Sequence, residues 1–172
     1  MKNLLIGFVS IACLGLLALK TPAKHKHIHP KKTQEIKWLD FESGYIKAKK
    51  ENKILLIDVY TDWCGWCKVM DRETYTNDTV IQAINKDFVT VKLNPEKYRY
   101  YVMEGDSFSS TELHAWLGYG KKFGFPTTYF MVKPGKTEER YASIGFSKPY
   151  EFMDILNQMV TKKNAKKEAI FK

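Results

Sequence analysis

Cysteine is scarce in this chain, and its scarcity is the first constraint on function. Of three cysteines, Cys13 sits inside an N-terminal apolar run and only Cys64 and Cys67 lie in the body of the sequence. A disulfide-stapled scaffold is therefore excluded: a processed, exported form would hold one pair and no separate structural bridge. Long apolar runs are also missing. The longest, Leu4 to Leu19, has sixteen residues, short for a membrane span and suited to the core of a signal peptide. No internal repeat and no second set of motifs asks for another domain, and 172 residues at 44% apolar content suffice for one sizeable core. Acidic residues are under-represented, 19 against 28 Lys and Arg, giving a formal charge of +9. No basic stripe interleaved with aromatics accompanies that excess, so no nucleic-acid partner is expected.

The N-terminus reads as a targeting element over residues 1–23. A positive start, Met1-Lys2-Asn3, precedes the apolar run, and Lys20-Thr21-Pro22-Ala23 follows it, with cleavage expected after Ala23. An uncleaved anchor is the alternative, and Ser10-Ile11-Ala12-Cys13 offers a weak lipoprotein signal that the apolar Leu14 to Leu19 argues against. Residues 1–23 carry Lys2 and Lys20 and no acid, leaving +7 of the charge for the remainder. Residues 24–35 form a Lys- and His-rich tether containing His25, His27 and His29, and residues 163–172 a basic tail. Contact with an anionic membrane surface is open to both. Alternating histidines have incidental metal affinity, but a Lys-rich linker fixes no geometry.

The chemistry is concentrated in Trp63-Cys64-Gly65-Trp66-Cys67-Lys68, directly behind the apolar run Ile54 to Tyr60. Two thiols at this spacing can close a small disulfide ring, although zinc sites use the same spacing. With Cys64 exposed at the N-terminus of a helix, unpaired N–H groups and the helix dipole would stabilise its thiolate, making it the attacking sulfur. Cys67, one turn inside, would be shielded and act second. Asp58 lies in the middle of the preceding apolar strand, where an ionised carboxylate needs a partner or a task. Lys92, in the second apolar strand Phe88 to Leu93, is the candidate partner. Asp58 is then either a satisfied ion pair or the base that takes the proton of Cys67.

Farther along, Gly124-Phe125-Pro126-Thr127-Thr128 places a proline just before the strand-like run Thr127 to Val132. With Asp58, Trp63, the Cys64/Cys67 pair, Lys92, Pro126 and Gly145 in this order, the chain resembles the thioredoxin superfamily over residues 36–162. Within it, Asp58 to Cys64 with Lys68 and Glu73 to Asp78 looks most like the periplasmic C-terminal domain of the reductase DsbD. The resemblance implies a thioredoxin fold: an α/β arrangement with a mixed central sheet flanked by helices. It also implies a cis peptide bond before Pro126, beside the thiols, which leaves the Phe125 backbone free to pair with a substrate strand. Phe125, Pro126 and Thr127 would then line a client groove with Trp63, Gly65 and Trp66. The two tryptophans either pack locally over the disulfide or form an aromatic rim for a partner.

Patterning predicts a helix over 38–51 with Trp38, Phe41, Tyr45 and Ile46 on one side, despite Gly44. A helix follows Cys64 to Asp71 or beyond, and another, capped by Asn77 or Asp78, runs through Ile84. Ser109-Ser110-Thr111-Glu112 has the form of a capping box. Lys133-Pro134-Gly135-Lys136 is a natural hairpin turn between Tyr129–Val132 and Arg140–Ile144, and a last helix after Ser147 turns Phe152, Ile155, Leu156, Met159 and Val160 to the core. The departure is an aromatic insert over 95–123, ahead of the Pro126 strand. It either lines a partner groove or packs as a lid over the sheet.

These readings converge on a thiol–disulfide oxidoreductase, a protein-disulfide reductase that uses the Cys64/Cys67 dithiol and needs no metal or organic cofactor. Its expected partners are disulfide-containing exported proteins and a membrane thiol electron donor, and its expected location is the bacterial periplasm. The alternative is a metal-binding or copper-delivery protein on the same fold, disfavoured because no third ligand sits beside the pair and Asp58 and Pro126 would have no purpose.

Overall fold

The computed structural model describes residues 34–135 and 138–170, with side chains as far as residue 165. The N-terminal leader, Cys13 and His25, His27 and His29 lie outside the described residues.

Twelve elements follow in order. They are β1 (Trp38–Leu39), α1 (Phe41–Glu51), β2 (Ile54–Val59), α2 (Gly65–Glu73), α3 (Asp78–Asp87), β3 (Phe88–Leu93), β4 (Tyr100–Met103), β5 (Asp106–Ser109), α4 (Ser110–Leu117), β6 (Thr127–Val132), β7 (Glu139–Ile144) and α5 (Pro149–Ile170). Five strands form one mixed sheet in the order β1-β3-β2-β6-β7, with β1, β3 and β2 parallel and β6 and β7 antiparallel to their neighbours. This is the thioredoxin-type arrangement that the resemblance implies.

The sheet is covered on both faces, so its central strands are buried on both sides. Alternation along β2 divides the core. Leu55, Ile57 and Val59 face α1, α4 and the inner side of the β4–β5 hairpin, where Phe41, Tyr45, Tyr101, Met103, Leu113 and Leu117 pack. Ile54 and Leu56 face α2, α3 and α5, meeting Met70, Val80, Ile84, Phe152 and Leu156. Asp58 is next in the second series, so the pleat directs its carboxylate to the α2 face at the strand end that leads into Cys64.

Helix boundaries follow local chemistry. The side chain of Asn77 accepts from the backbone N–H groups of Thr79 and Val80, capping α3. Ser109 and Glu112 form the reciprocal capping box at the head of α4. The helix expected over 38–51 is corrected: Trp38 and Leu39 pair in parallel with Thr90 and Val91, and Asp40 caps a helix that starts at Phe41 by accepting from Ser43 N. The buried stripe is consequently Phe41, Gly44, Tyr45 and Ala48, while Ile46 is exposed and Trp38 joins the opposite core. The insert is a β4–β5 hairpin followed by α4. Tyr101 and Phe108 point inward and Tyr98 and Tyr100 outward, so the aromatics divide between a lid and the surface. Helix α5 continues past residue 162 into the basic tail.

Gly44 marks where α1 presses closest on the sheet. A Cβ there would lie 2.2 Å from Val91 Cγ2, on a stiff buried side chain with no room to swing. Gly44→Ala is expected to destabilise the fold by about 1–3 kcal/mol, measured by urea denaturation. Gly65→Ala meets nothing within 4 Å, and its helix propensity should leave stability unchanged or slightly higher. Equal losses from both substitutions would discount the close approach.

Candidate active site

Strand β2 ends at Val59, and the loop after it delivers Cys64 as the N-cap of α2. Cys64 Sγ accepts from the Cys67 backbone N–H at 3.1 Å, so an orphan donor of the first turn points at this sulfur, at the positive end of the helix dipole. Cys64 and Cys67 are joined as a disulfide with their Cα atoms 5.3 Å apart. The expectation that exposure separates the two thiols is corrected: Cys64 is 4% and Cys67 5% exposed. Trp63 and Trp66, each directly preceding one of the cysteines, are 66% and 61% exposed, and what distinguishes Cys64 is its cap position.

Each tryptophan leans on a second ring. Trp63 meets Phe125 edge to face at 5.8 Å, and its indole N–H donates to both carboxylate oxygens of Glu96 at 3.0 Å. Trp66 stacks on Phe146 at 5.4 Å. The Phe125–Pro126 peptide bond is cis, and Gly145, with φ of +87°, donates its N–H to Pro126 O at 2.8 Å. A positive φ at this position suits glycine, which has no Cβ to clash. Thr127, expected in the groove lining, is fully buried, and its hydroxyl donates to Gly124 O at 2.7 Å. Its side chain shapes the turn, not the groove surface. Gly65 is exposed between the two tryptophans.

On the α2 face of the sheet, Asp58 is 2% exposed. Its Oδ2 lies 3.3 Å from Lys92 Nζ, and its Oδ1 accepts from the Tyr75 hydroxyl at 3.1 Å. Tyr75 is also 3.3 Å from the Thr128 hydroxyl. Lys92 is shared: it also bonds Asp71, and it stands over the rings of Trp38 and Tyr60, each at 5.0 Å. Cys67 and Asp71 are four residues apart on α2 and so share a face of that helix. The Asp58–Lys92–Asp71 chain therefore lies under the Cys67 side of the helix. Beside it a cleft of about 490 Å3, lined in part by Trp38, Asp71, Tyr75 and Lys92, opens to solvent.

Burial pushes the Asp58 carboxyl up to about 6, with Lys92 opposing and Asp71 adding to the rise. For Lys92 burial acts downward, but the Asp58 and Asp71 carboxylates outweigh it and the ammonium is held above its ordinary range. Tyr75 is raised well above the usual phenol by burial and by Asp58. The cluster thus pairs a fixed cation with a carboxyl that gains or loses its proton near neutrality.

A redox-capable disulfide at a helix N-terminus, a buried carboxyl on the same face, and a cis-proline loop tied to a positive-φ glycine now stand together. Residues 21–172 match the family model Thioredox_DsbH (Protein of unknown function, DUF255). The chain belongs to that family. Among relatives of the Thioredox_DsbH chain, thiol:disulfide interchange protein DsbD of Vibrio cholerae is 28% identical over 167 residues, 91% of this chain and 26% of DsbD. Spermatogenesis-associated protein 20 of Rattus norvegicus is 26% identical over 137 residues, 75% of this chain and 17% of that protein. The chain thus spans about a sixth to a quarter of the length of these relatives. The solution structure of a thioredoxin from Thermus thermophilus superposes with a TM-score of 0.61 at 20% identity, over 76% of this chain and 92% of that one, which establishes the fold. The protein is a DsbD-like domain of the thioredoxin superfamily, and its Cys64–Cys67 disulfide supports thiol–disulfide oxidoreductase chemistry.

Sequence reasoning missed Tyr75, Asp71 and Thr128 around Asp58 and Lys92, and Glu96 and Phe146 behind the tryptophans. Phe146 directly follows Gly145 and was the most findable. The others reach the site through tertiary packing from 13 or more positions away from Asp58, with no local pattern to flag them.

Proposed function

We propose that this Thioredox_DsbH chain reduces disulfides of exported proteins and is itself reset by a membrane thiol donor. The observation that carries the reading is the buried Asp58 carboxyl on the Cys67 side of α2, its proton exchangeable near pH 6. In the reduced protein the Cys64 thiolate, stabilised at the helix N-terminus, attacks one sulfur of a client disulfide and expels the other as a thiolate. Cys67 gives its proton to Asp58 and attacks Cys64 Sγ, breaking the mixed disulfide and releasing the second client sulfur. Two electrons pass from the dithiol to the client, and the protein ends in the disulfide state seen here. A donor dithiol reverses the process. Trp63 and Trp66, with Phe125 and Phe146 behind them, form the rim at which a client docks, with Pro126 at its base.

Residues 1–23 act as the export signal in this reading, and the location is periplasmic. Among the described residues no helix is long and apolar enough to cross a membrane. The similarity to DsbD, named as a thiol:disulfide interchange protein, supports the chemistry.

The test is reduction of insulin by the purified protein with dithiothreitol as donor, beside titration of the reduced Cys64/Cys67 pair with Cu(I) and Zn(II). Accelerated insulin precipitation that is lost in Cys64→Ser is expected. Tight metal binding with no acceleration would replace this reading with metal delivery.

A further inference from the structure

Helix α4 buries one stripe, Ser110, Leu113, His114 and Leu117. Three of these suit their positions, since Leu113 and Leu117 fill the core and the Ser110 hydroxyl donates to Lys97 O and Arg99 O. His114 does not. It is 2% exposed, and among the described residues its Nε2 has no hydrogen-bond partner. A leucine would fill this position without leaving a polar atom unsatisfied, so the imidazole is a local cost to stability. Such costs concentrate where function demands them.

The His114 ring rests against two others. One is Tyr129 at 5.9 Å, in the centre of the sheet. The other is Phe125 at 5.8 Å, and Phe125 in turn carries Trp63 at 5.8 Å. Three rings thus form a column from the inside of α4 to the rim beside Cys64. At the top, the Trp63 indole is held by Glu96, and at the bottom His114 is a group that can change charge. We propose that neutral His114 is a positioning residue that supports Phe125, and through it Trp63, for client docking, and that gaining a proton withdraws this support. The proposal rests on the reading of Trp63 and Phe125 as the docking rim.

The surroundings give the direction. Burial and the nearby Lys122 charge both hold His114 below its usual 6.5. Among the described residues, the charged and titratable groups that face it are Lys122 from the segment after α4 and the Tyr129 phenol from β6. Neither offers a carboxylate to receive an imidazolium, so a protonated ring has to turn toward solvent, and Phe125 loses the surface beneath it. The docking rim is therefore intact above the His114 midpoint and loosened below it.

The experiment follows two signals from pH 7.5 to 4.5 in the full chain, in wild type, His114→Gln and His114→Leu. The first is the Trp63 indole 1H–15N resonance, assigned with Trp63→Phe. The second is the ratio of reduction rates for insulin and for a small aromatic disulfide, which cancels the pH dependence of the thiolate itself. Wild type is expected to show one indole step with a midpoint below 6.5, and a rate ratio that falls roughly fivefold or more across it, within the ~100-fold that a 1 Å misplacement can cost. Both variants should lose the step and keep a flat ratio, and His114→Leu should melt higher than wild type. Asp58 also changes protonation in this range, and a step that survives in both variants belongs to a group other than His114 and overturns the proposal. So does a wild-type indole signal with no step. An indole step that depends on His114, with a rate ratio indifferent to pH, refutes the docking role of Trp63 and Phe125 while leaving the thiol chemistry standing.

Discussion

Cys67→Ala is expected to turn the protein from a catalyst into a trap. Cys64 keeps its place at the N-cap of α2, with the residue 67 backbone N–H still directed at its sulfur, so attack on a client disulfide proceeds. Without a second thiol the mixed disulfide has no intramolecular exit, and adducts should accumulate on non-reducing gels. Turnover should fall on the order of 10³-fold, because residues that act as a unit lose nearly everything when one is removed. Cys64→Ala should lose turnover to a similar degree but form few adducts, since Cys67 lies one turn inside the helix and away from its terminus. Near-equal exposure of the two residues makes this a test of electrostatics and not of access. Equal trapping by the two variants would remove the distinction between them.

Asp58→Asn should make the protein more stable and less active at once. Asp58 has a folded value of about 6 against an ordinary 3.8, so below pH 3.8 the carboxyl is neutral in both the folded and unfolded chains and carries no penalty. As pH rises from there to about 6 the unfolded chain loses its proton first, and stability declines. Above about 6 the loss is complete, on the order of 3 kcal/mol. Asparagine keeps the size and can still accept from Tyr75, and Lys92 retains Asp71. Urea midpoints at pH 7.5 should therefore rise in Asp58→Asn and coincide with wild type near pH 3.5. Turnover should fall by about 10²-fold, the scale of a lost general base, and the inflection near pH 6 in the release step should disappear. A variant that gains no stability at pH 7.5, or keeps that inflection, would leave Asp58 as a satisfied ion pair and no more.

The two expectations draw on different parts of the molecule. The Cys64/Cys67 difference is set by one helix terminus, a local feature. The Asp58 effect is set by the core between β2, β3 and α2, where three elements distant in sequence meet. A carboxyl that weakens the fold at neutral pH, placed under the helix that carries both thiols, is what a proton acceptor for Cys67 requires.

Much of the fold was legible because it rests on short-range rules. The strand runs at Ile54, Phe88 and Thr127, the capping box at Ser109 and the apolar stripe of the last helix are patterns of a few residues, and each forms where the pattern lies. The first helix was misread for the same reason. Trp38 and Ile46 fit a helical stripe by spacing, but parallel pairing of Trp38 with Thr90 is a long-range event that no local period encodes. The insert was recognised by its length and aromatic content, yet its hairpin depends on pairing Tyr100–Met103 with Asp106–Ser109 and on packing against α1 and α4.

By itself the sequence determined the chemistry: two thiols at disulfide spacing behind a buried strand, an acid six residues before them, and a proline and a glycine in the order of the superfamily. Spacing along one chain is enough to specify a ring closure, a cap or a strand face. Only the tertiary structure decided which groups surround those atoms. It placed Tyr75 and Asp71 around the expected Asp58–Lys92 pair, Phe125 and Phe146 under the tryptophans, Glu96 on the indole and His114 beneath the rim. Burial and electrostatics depend on distances in space, and those exist only once the sheet has assembled.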